Sequence, residues 1–213
     1  MKLFLAGLVT ALVAMLIGVG SASASPAQTF HFHFNGTFAE ALWETSTATT
    51  ITDTDIQASR TRTGQQELFL DQFTQTVDQN GTFQGATDTF ADVTSGFSFT
   101  IDSNKFNTAS VSGTNIPAQT CTYDANFDLI GCTDTTIDAS ADWTGQGPVT
   151  QSVSGDHFHT HGFSATDHFS GKSRDATATG SIGGLTLGTG DLQFADLGNA
   201  NSGSVSVCIG TSC

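Results

Sequence analysis

Six histidines fall in two short segments: His31 and His33 in "HFHF", and His157, His159, His161 and His168 in and after "DHFHTHGF". In an extended strand alternate side chains point the same way, so His157, His159 and His161 form a row of imidazoles. An H-x-H pair sets its two Cα atoms about 6.5–7 Å apart, and a neighbouring strand runs about 4.8 Å away. If the strands carrying the two segments are adjacent, His31, His33, His157 and His159 converge. Zinc and copper are the metals that imidazole suits. The competing reading is a wet polar face, with Phe32, Phe34 and Phe158 filling the opposite side. A ligating imidazole must be neutral, so a metal site here weakens as the pH falls through about 6.5.

The remaining chemistry is sparser. "DANFD" places Asp124, Asn126 and Asp128 at the D-x-N-x-D spacing of a calcium loop. An EF-hand loop needs Gly sixth and Glu twelfth, where this chain has Leu129 and Thr135. A turn held by Asx side chains is the favoured reading. Asp53 and Asp55 in "TDTD" read as two solvated carboxylates on one strand face. No G-x-S-x-G, Walker-type loop, H-E-x-x-H or G-x-G-x-x-G stands in a usable context. No catalytic pair can be singled out among the 20 acidic residues, so no catalytic residue is assigned. Trp43, Trp143 and Tyr123 could stack on a sugar; scattered as they are, they read as core anchors. The sequons at Asn35 and Asn80 read as turns or bulges.

Four cysteines, Cys121, Cys132, Cys208 and Cys213, make an even set, which in an exported chain implies disulfides. "CTYDANFDLIGC" reads as two strands around a turn, with Cys121 opposite Cys132 and Tyr123 opposite Ile130. "CIGTSC" closes a smaller loop from Cys208 to Cys213. No C-x-x-C pair supports a zinc site.

What must position these groups is legible from the chain as a whole. The start, "MK" then "LFLAGLVTALVAMLIGVG" then "SASAS", has the charged, apolar and small-residue order of a cleaved secretory signal. Cleavage after Ala24 makes residues 1–24 a signal peptide and leaves a secreted chain beginning at Ser25. Five basic residues then remain, Arg60, Arg62, Lys105, Lys172 and Arg174, and losing Lys2 takes the formal charge from −14 to −15. Such a chain repels nucleic-acid phosphates and anionic membranes; its partners are cations, neutral molecules or proteins. Acidity also keeps an exported protein soluble.

Period-two alternation recurs in "TFHFHFNGTFAEALW", with Phe30, Phe32, Phe34, Phe38 and Leu42 on one face, and again in "ELFLDQFTQTV", "GFSFTID" and "HFSG". "DQNGTF" reads as a hairpin with a type I′ turn at Asn80-Gly81. No βαβ rhythm appears. The expected fold is all-β: a single antiparallel barrel or sandwich of roughly nine to eleven strands, residues 25–182, with a phenylalanine-rich core. "TTITDTDIQASRTRT" cannot supply the lipid-facing belt of a membrane barrel. Residues 183–213, rich in Gly, Ser and Asn, read as a lap and a terminal strand packed on the same domain.

"FTIDSNKFNTASVSG", "ADWTGQG", "HFHTHGF" and "ATATGSI" together resemble a group of small exported bacterial β-proteins that carry W-T-G-x-G upstream of an aromatic H-F-H segment. The likeness spans roughly residues 34–182 and implies the β fold and export. It implies no activity and assigns no residue a role. Taken together, the sequence reads as an exported acidic, barrel-like binding or structural module, not an enzyme. The alternatives are a histidine-based zinc or copper binder and, less favoured, an extracytoplasmic hydrolase.

Overall fold

Alternation and recurrent turn residues produce strands throughout. The computed structural model describes residues 28–160 and 163–209, with side chains described at 35–151, 153 and 170–201. Its strands are β1 (Gln28–Ser46), β2 (Thr50–Thr61), β3 (Gln66–Val77), β4 (Phe83–Val93), β5 (Phe97–Ile101), β6 (Thr108–Tyr123), β7 (Leu129–Gly145), β8 (Thr150–Thr160), β9 (Phe163–Ile182), β10 (Leu185–Leu187) and β11 (Leu192–Ile209). All eleven belong to one sheet, and every pairing with a resolved register is antiparallel. Eight of them, β9, β11, β1, β2, β3, β4, β6 and β7, close a ring, because β7 pairs with both β6 and β9. Among the described residues no helix is long and apolar enough to cross a membrane. The Gly/Asn/Ser-rich stretch from 183 onward supplies β10 and the long β11, a member of the ring.

The chain divides into two compact units. One comprises residues 36–151 and 172–199; the described part of the other is 28–35, 152–160, 163–171 and 200–209. In the second unit β8 pairs with β9, and the Asn35 side-chain amide donates to the Asn201 carbonyl at 2.7 Å.

In the first unit the ring is filled. The register places Ala41 opposite Ile56, Ile56 opposite Leu70 and Leu70 opposite Ala91, so one continuous face of the ring is apolar. With Trp43, Trp143, Phe106, Ile116, Ile182 and Leu197 it forms one buried cluster. The indole N–H of Trp143 reaches from β7 to the Glu40 carbonyl of β1 at 3.0 Å, which identifies this face as the interior. The expected phenylalanine-rich core is therefore corrected. Ala39, Ala41 and Trp43 of β1 point inward, while Phe38 and Leu42 lie on the opposite, outward face. A closed ring has a narrow interior, where alanines opposite a few tryptophans fill the space better than phenylalanine on every strand.

The β6–β7 hairpin forms as the cysteine spacing predicts. Cys121 lies opposite Cys132, and a disulfide joins them. A register shift after Thr122 then sets Tyr123 opposite Leu129 rather than Ile130. Replacing both cysteines by serine should cost about 3 kcal/mol, the chain-entropy value for a loop of about 12 residues; urea unfolding of the variant beside the native protein measures it. The side chain of Cys208 and all of Cys213 lie outside the described residues.

Three turns share one device: an Asp carboxylate accepting backbone N–H groups that follow it. Asp78 Oδ1 accepts from Asn80 and Thr82, Asp102 Oδ1 from Asn104 and Lys105, and Asp124 Oδ1 from Asn126 and Asp128. The hairpin at "DQNGTF" is present, but its turn is not type I′. That turn requires positive φ at both central residues, and of the two only Gly81 has it, at 78°. "DANFD" is likewise an Asx turn, its first carboxylate spent on its own backbone.

Candidate functional site

On the outward face of β1–β4 the same register that seals the core assembles a second pattern. Asp55 stands directly opposite Asp71, between Leu42 on β1 and Phe90 on β4. One row along, Phe73 separates Asp53 from Asp88, so Asp71 and Asp88 are diagonal neighbours. Like charges placed this way repel, and no Lys or Arg interrupts them on these strands' shared rows. Carboxyls respond by keeping their protons. Burial, reinforced by the charge and hydrogen bond of Asp88 and by the charges of Asp55 and Asp53, pushes Asp71 up to about 8. Burial also raises Asp88, against the lowering effect of its bond to Asp71. The Asp71–Asp88 pair therefore resists ionising both carboxyls together. One oxygen each of Asp55, Asp71 and Asp88 is buried with no conventional donor, as expected where carboxyls meet carboxyls.

The row continues toward β11. The Gln57 amide donates to Asp55 Oδ2 at 2.7 Å and to Glu40 Oε1 at 3.3 Å. Burial raises Asp55 to about 7. Burial and then the charges of Asp55 and Asp196 hold Glu40 well above the usual carboxylate range. Asp196, whose Oδ1 accepts the backbone N–H groups of Arg174 and Leu197, is raised to about 7, chiefly by burial. Asp55, expected as a solvated carboxylate, is thus half-buried, with its Oδ1 shut away from solvent. Its burial depends on neighbours from other strands, not on its own tripeptide.

At the other end of the row stands an aromatic cluster. Phe127 stacks on Tyr123, ring centroids 5.1 Å apart, and lies 5.8 Å from Phe83 and 6.1 Å from Phe73. It is nevertheless 54% exposed, and its neighbours Leu129 and Ile130 are 53% and 68% exposed. Phe127 adopts φ 65°, a left-handed conformation that a bulky residue takes only at a cost in strain. Burial and the charges of Asp88 and Asp71 raise the Tyr123 phenol, which ties the cluster to the carboxyl row. No family model, curated protein or solved structure matches this chain.

The expected histidine site falls in the second unit. His31 and His33 lie on β1, whose neighbours in the sheet are β11 and β2, and His157 and His159 lie on β8, which pairs with β9. The side chains of these four residues and of His168, and the whole of His161, are outside the described residues. Among the described residues, no group of three His, Cys, Asp or Glu side chains could hold a metal. Trp43 and Trp143 are core residues, both almost fully buried, and of the aromatic trio only Tyr123 reaches the surface cluster. An open depression of about 590 Å³ lies among Gly96, Phe97, Ser112, Gly113, Asp138 and Ser140. Its one titratable group, Asp138, is bonded to the Asn115 amide at 2.7 Å, which leaves no acid–base pair there.

Sequence reasoning missed Glu40, Asp71, Asp88, Asp196 and Phe127. A usable signal existed for one of them: the tripeptide T-D-T recurs at 52–54, 87–89 and 133–135, each time with an acid flanked by threonines that face the other way.

Proposed function

We propose that the chain is an exported, non-enzymatic β-module that binds a partner on its outward surface instead of enclosing a ligand. The observation that carries this reading is the exposed, strained aromatic cluster beside a ring interior already filled with its own side chains. A binding barrel needs an apolar pocket with a few polar groups, and here the apolar interior is occupied by Trp43, Trp143 and Phe106. Catalysis needs a titratable cluster open to a cleft; the carboxyl row lies on a sheet face and buries one oxygen each of Asp55, Asp71 and Asp88. The disulfide between Cys121 and Cys132 supports an oxidising, extracellular location.

Surface groups kept for binding are spare to the fold. Ile130→Asp and Leu129→Asp should therefore each unfold within about 0.5 kcal/mol of the native protein, as substitutions away from structural features do. Chemical denaturation measures this. A loss of core-like size would show that these side chains hold the hairpin together, and the surface reading would fall.

A further inference from the structure

The charges of the first unit are segregated along the strand axis. Arg60 pairs in register with Thr37 and Gln66 at one end of the β1–β3 ladder. Lys105 follows β5 at that same end, where Asp102 N bonds Thr108 O and Gly145 N bonds Asn107 O. Arg174 is there too, its guanidinium donating to the carbonyls of Gly147 and Lys105 and to Asn107 Oδ1. Lys172 and Arg62 complete the set of basic residues beyond the signal segment. The opposite end carries the turns at Asp78 and at Asp124–Asp128, the exposed rings and side chains of the aromatic cluster, and Asp88 behind them. Among the described residues no Lys or Arg lies there.

On this basis, and resting on the surface-binding reading above, we infer that the Phe73–Phe83–Tyr123–Phe127 cluster docks a basic polypeptide segment that alternates cationic and apolar side chains. The apolar side chains would lie on Phe127, Leu129 and Ile130. The cations would face the exposed Asp128 and the half-exposed Asp78 and Asp124 in the turns beside the cluster, and would meet the aromatic faces as well. Hydrogen bonds from their own backbone keep Asp78 and Asp124 below the usual carboxylate range, so both stay charged over any working pH. Charge complementarity selects this partner over an acidic or neutral one. The inward face of the same strands offers no rival charge: Thr52, Thr74, Thr87 and Thr122 form a single uncharged row across β2, β3, β4 and β6.

The test uses the secreted full-length protein and three synthetic peptides of equal length: alternating lysine–leucine, alternating glutamate–leucine, and all-lysine. Calorimetry should show the lysine–leucine peptide binding, with affinity that falls as salt rises and shifts in the ring resonances of Tyr123, the chain's single tyrosine. Phe127→Gly removes the ring while glycine takes the left-handed φ without strain, so the turn survives; binding should weaken about tenfold or more, as at an aromatic hot spot. Three results would overturn the inference: equal binding by the all-lysine peptide, equal binding by the glutamate–leucine peptide, or no effect of Phe127→Gly. A concentration-dependent dimer abolished by Phe127→Gly would also overturn it, by making a second copy the occupant. If no peptide binds while Ile130→Asp still leaves stability unchanged, this partner class is wrong and the surface reading stands. A destabilised Ile130→Asp sinks the surface reading itself.

Discussion

Thermal unfolding followed by tryptophan fluorescence should show a midpoint about 10 °C higher at pH 5 than at pH 8, the size a change of about 4 kcal/mol gives a domain of this length. Most proteins lose stability over the acid part of this range; this one should gain it. A carboxyl whose pKa is higher in the folded state than in the unfolded chain binds its proton more tightly when folded. Its contribution is complete below the unfolded value of about 3.9 and disappears as the pH rises through the folded value. Asp55 and Asp196, raised to about 7, and Asp71, raised to about 8, place that loss between about pH 4 and 8. Ionising one such group in the folded state costs about 4 kcal/mol relative to the unfolded chain. The groups are coupled through Glu40 and Asp88, so their costs do not simply add.

Asp196 on β11, Glu40 on β1, Asp53 and Asp55 on β2, Glu67 and Asp71 on β3, Asp88 on β4 and Tyr123 on β6 are all raised, burial being the first cause in each. Asp78, Asp102 and Asp124 act oppositely, since backbone hydrogen bonds lower their pKa. Their contribution is lost as the pH falls below about 4, which sets the optimum just above that value. Asp71→Asn mimics the protonated acid, because its amide can donate to Asp88. It should raise stability at pH 8, leave it unchanged at pH 5 and flatten the profile between. A native midpoint that falls steadily from pH 8 to pH 5 would refute the buried, proton-holding row.

Those features of the fold that depend on neighbouring residues were legible in the sequence. Period-two alternation and turn residues identified the all-β class, and the spacing of Cys121 and Cys132 identified their hairpin and bond. The Asx turn at "DANFD" also read correctly, because its hydrogen bonds close within four residues, whereas "DQNGTF" showed its hairpin but not its turn type. What could not be read is whatever depends on which side of a strand faces inward. In β1 both candidate faces carry apolar residues, Phe38 and Leu42 beside Glu40 on one and Ala39, Ala41 and Trp43 on the other. Only closure of the ring decides between them, since a narrow interior admits small residues and excludes rows of large ones. The carboxyl row has the same origin. Asp55, Asp71 and Asp88 are separated by entire strands in sequence and become neighbours through the registers of two successive hairpins. Sequence pattern marks each as polar, and register alone makes them half-buried, with one oxygen of each shut away from solvent.

The interior choice leads to the other large expected effect, at Trp143. Its ring is almost fully buried in the core cluster, so Trp143→Ala should cost about 3–5 kcal/mol in urea unfolding, the range for emptying a large aromatic site. Cavity loss would explain that number alone, so the informative comparison is with phenylalanine. Trp143→Phe keeps most of the volume but removes the N–H that reaches the Glu40 carbonyl across the ring at 3.0 Å. Trp43, equally buried, has an indole nitrogen with no hydrogen-bond partner. Such a donor already carries its desolvation penalty of about 1–3 kcal/mol, and Trp43→Phe relieves it. The two conservative substitutions should therefore separate, with Trp143→Phe clearly destabilising and Trp43→Phe close to neutral despite an equal loss of volume. Equal costs at the two positions would mean that the bond from β7 to β1 contributes nothing, and the ring would then be held across its interior by packing alone.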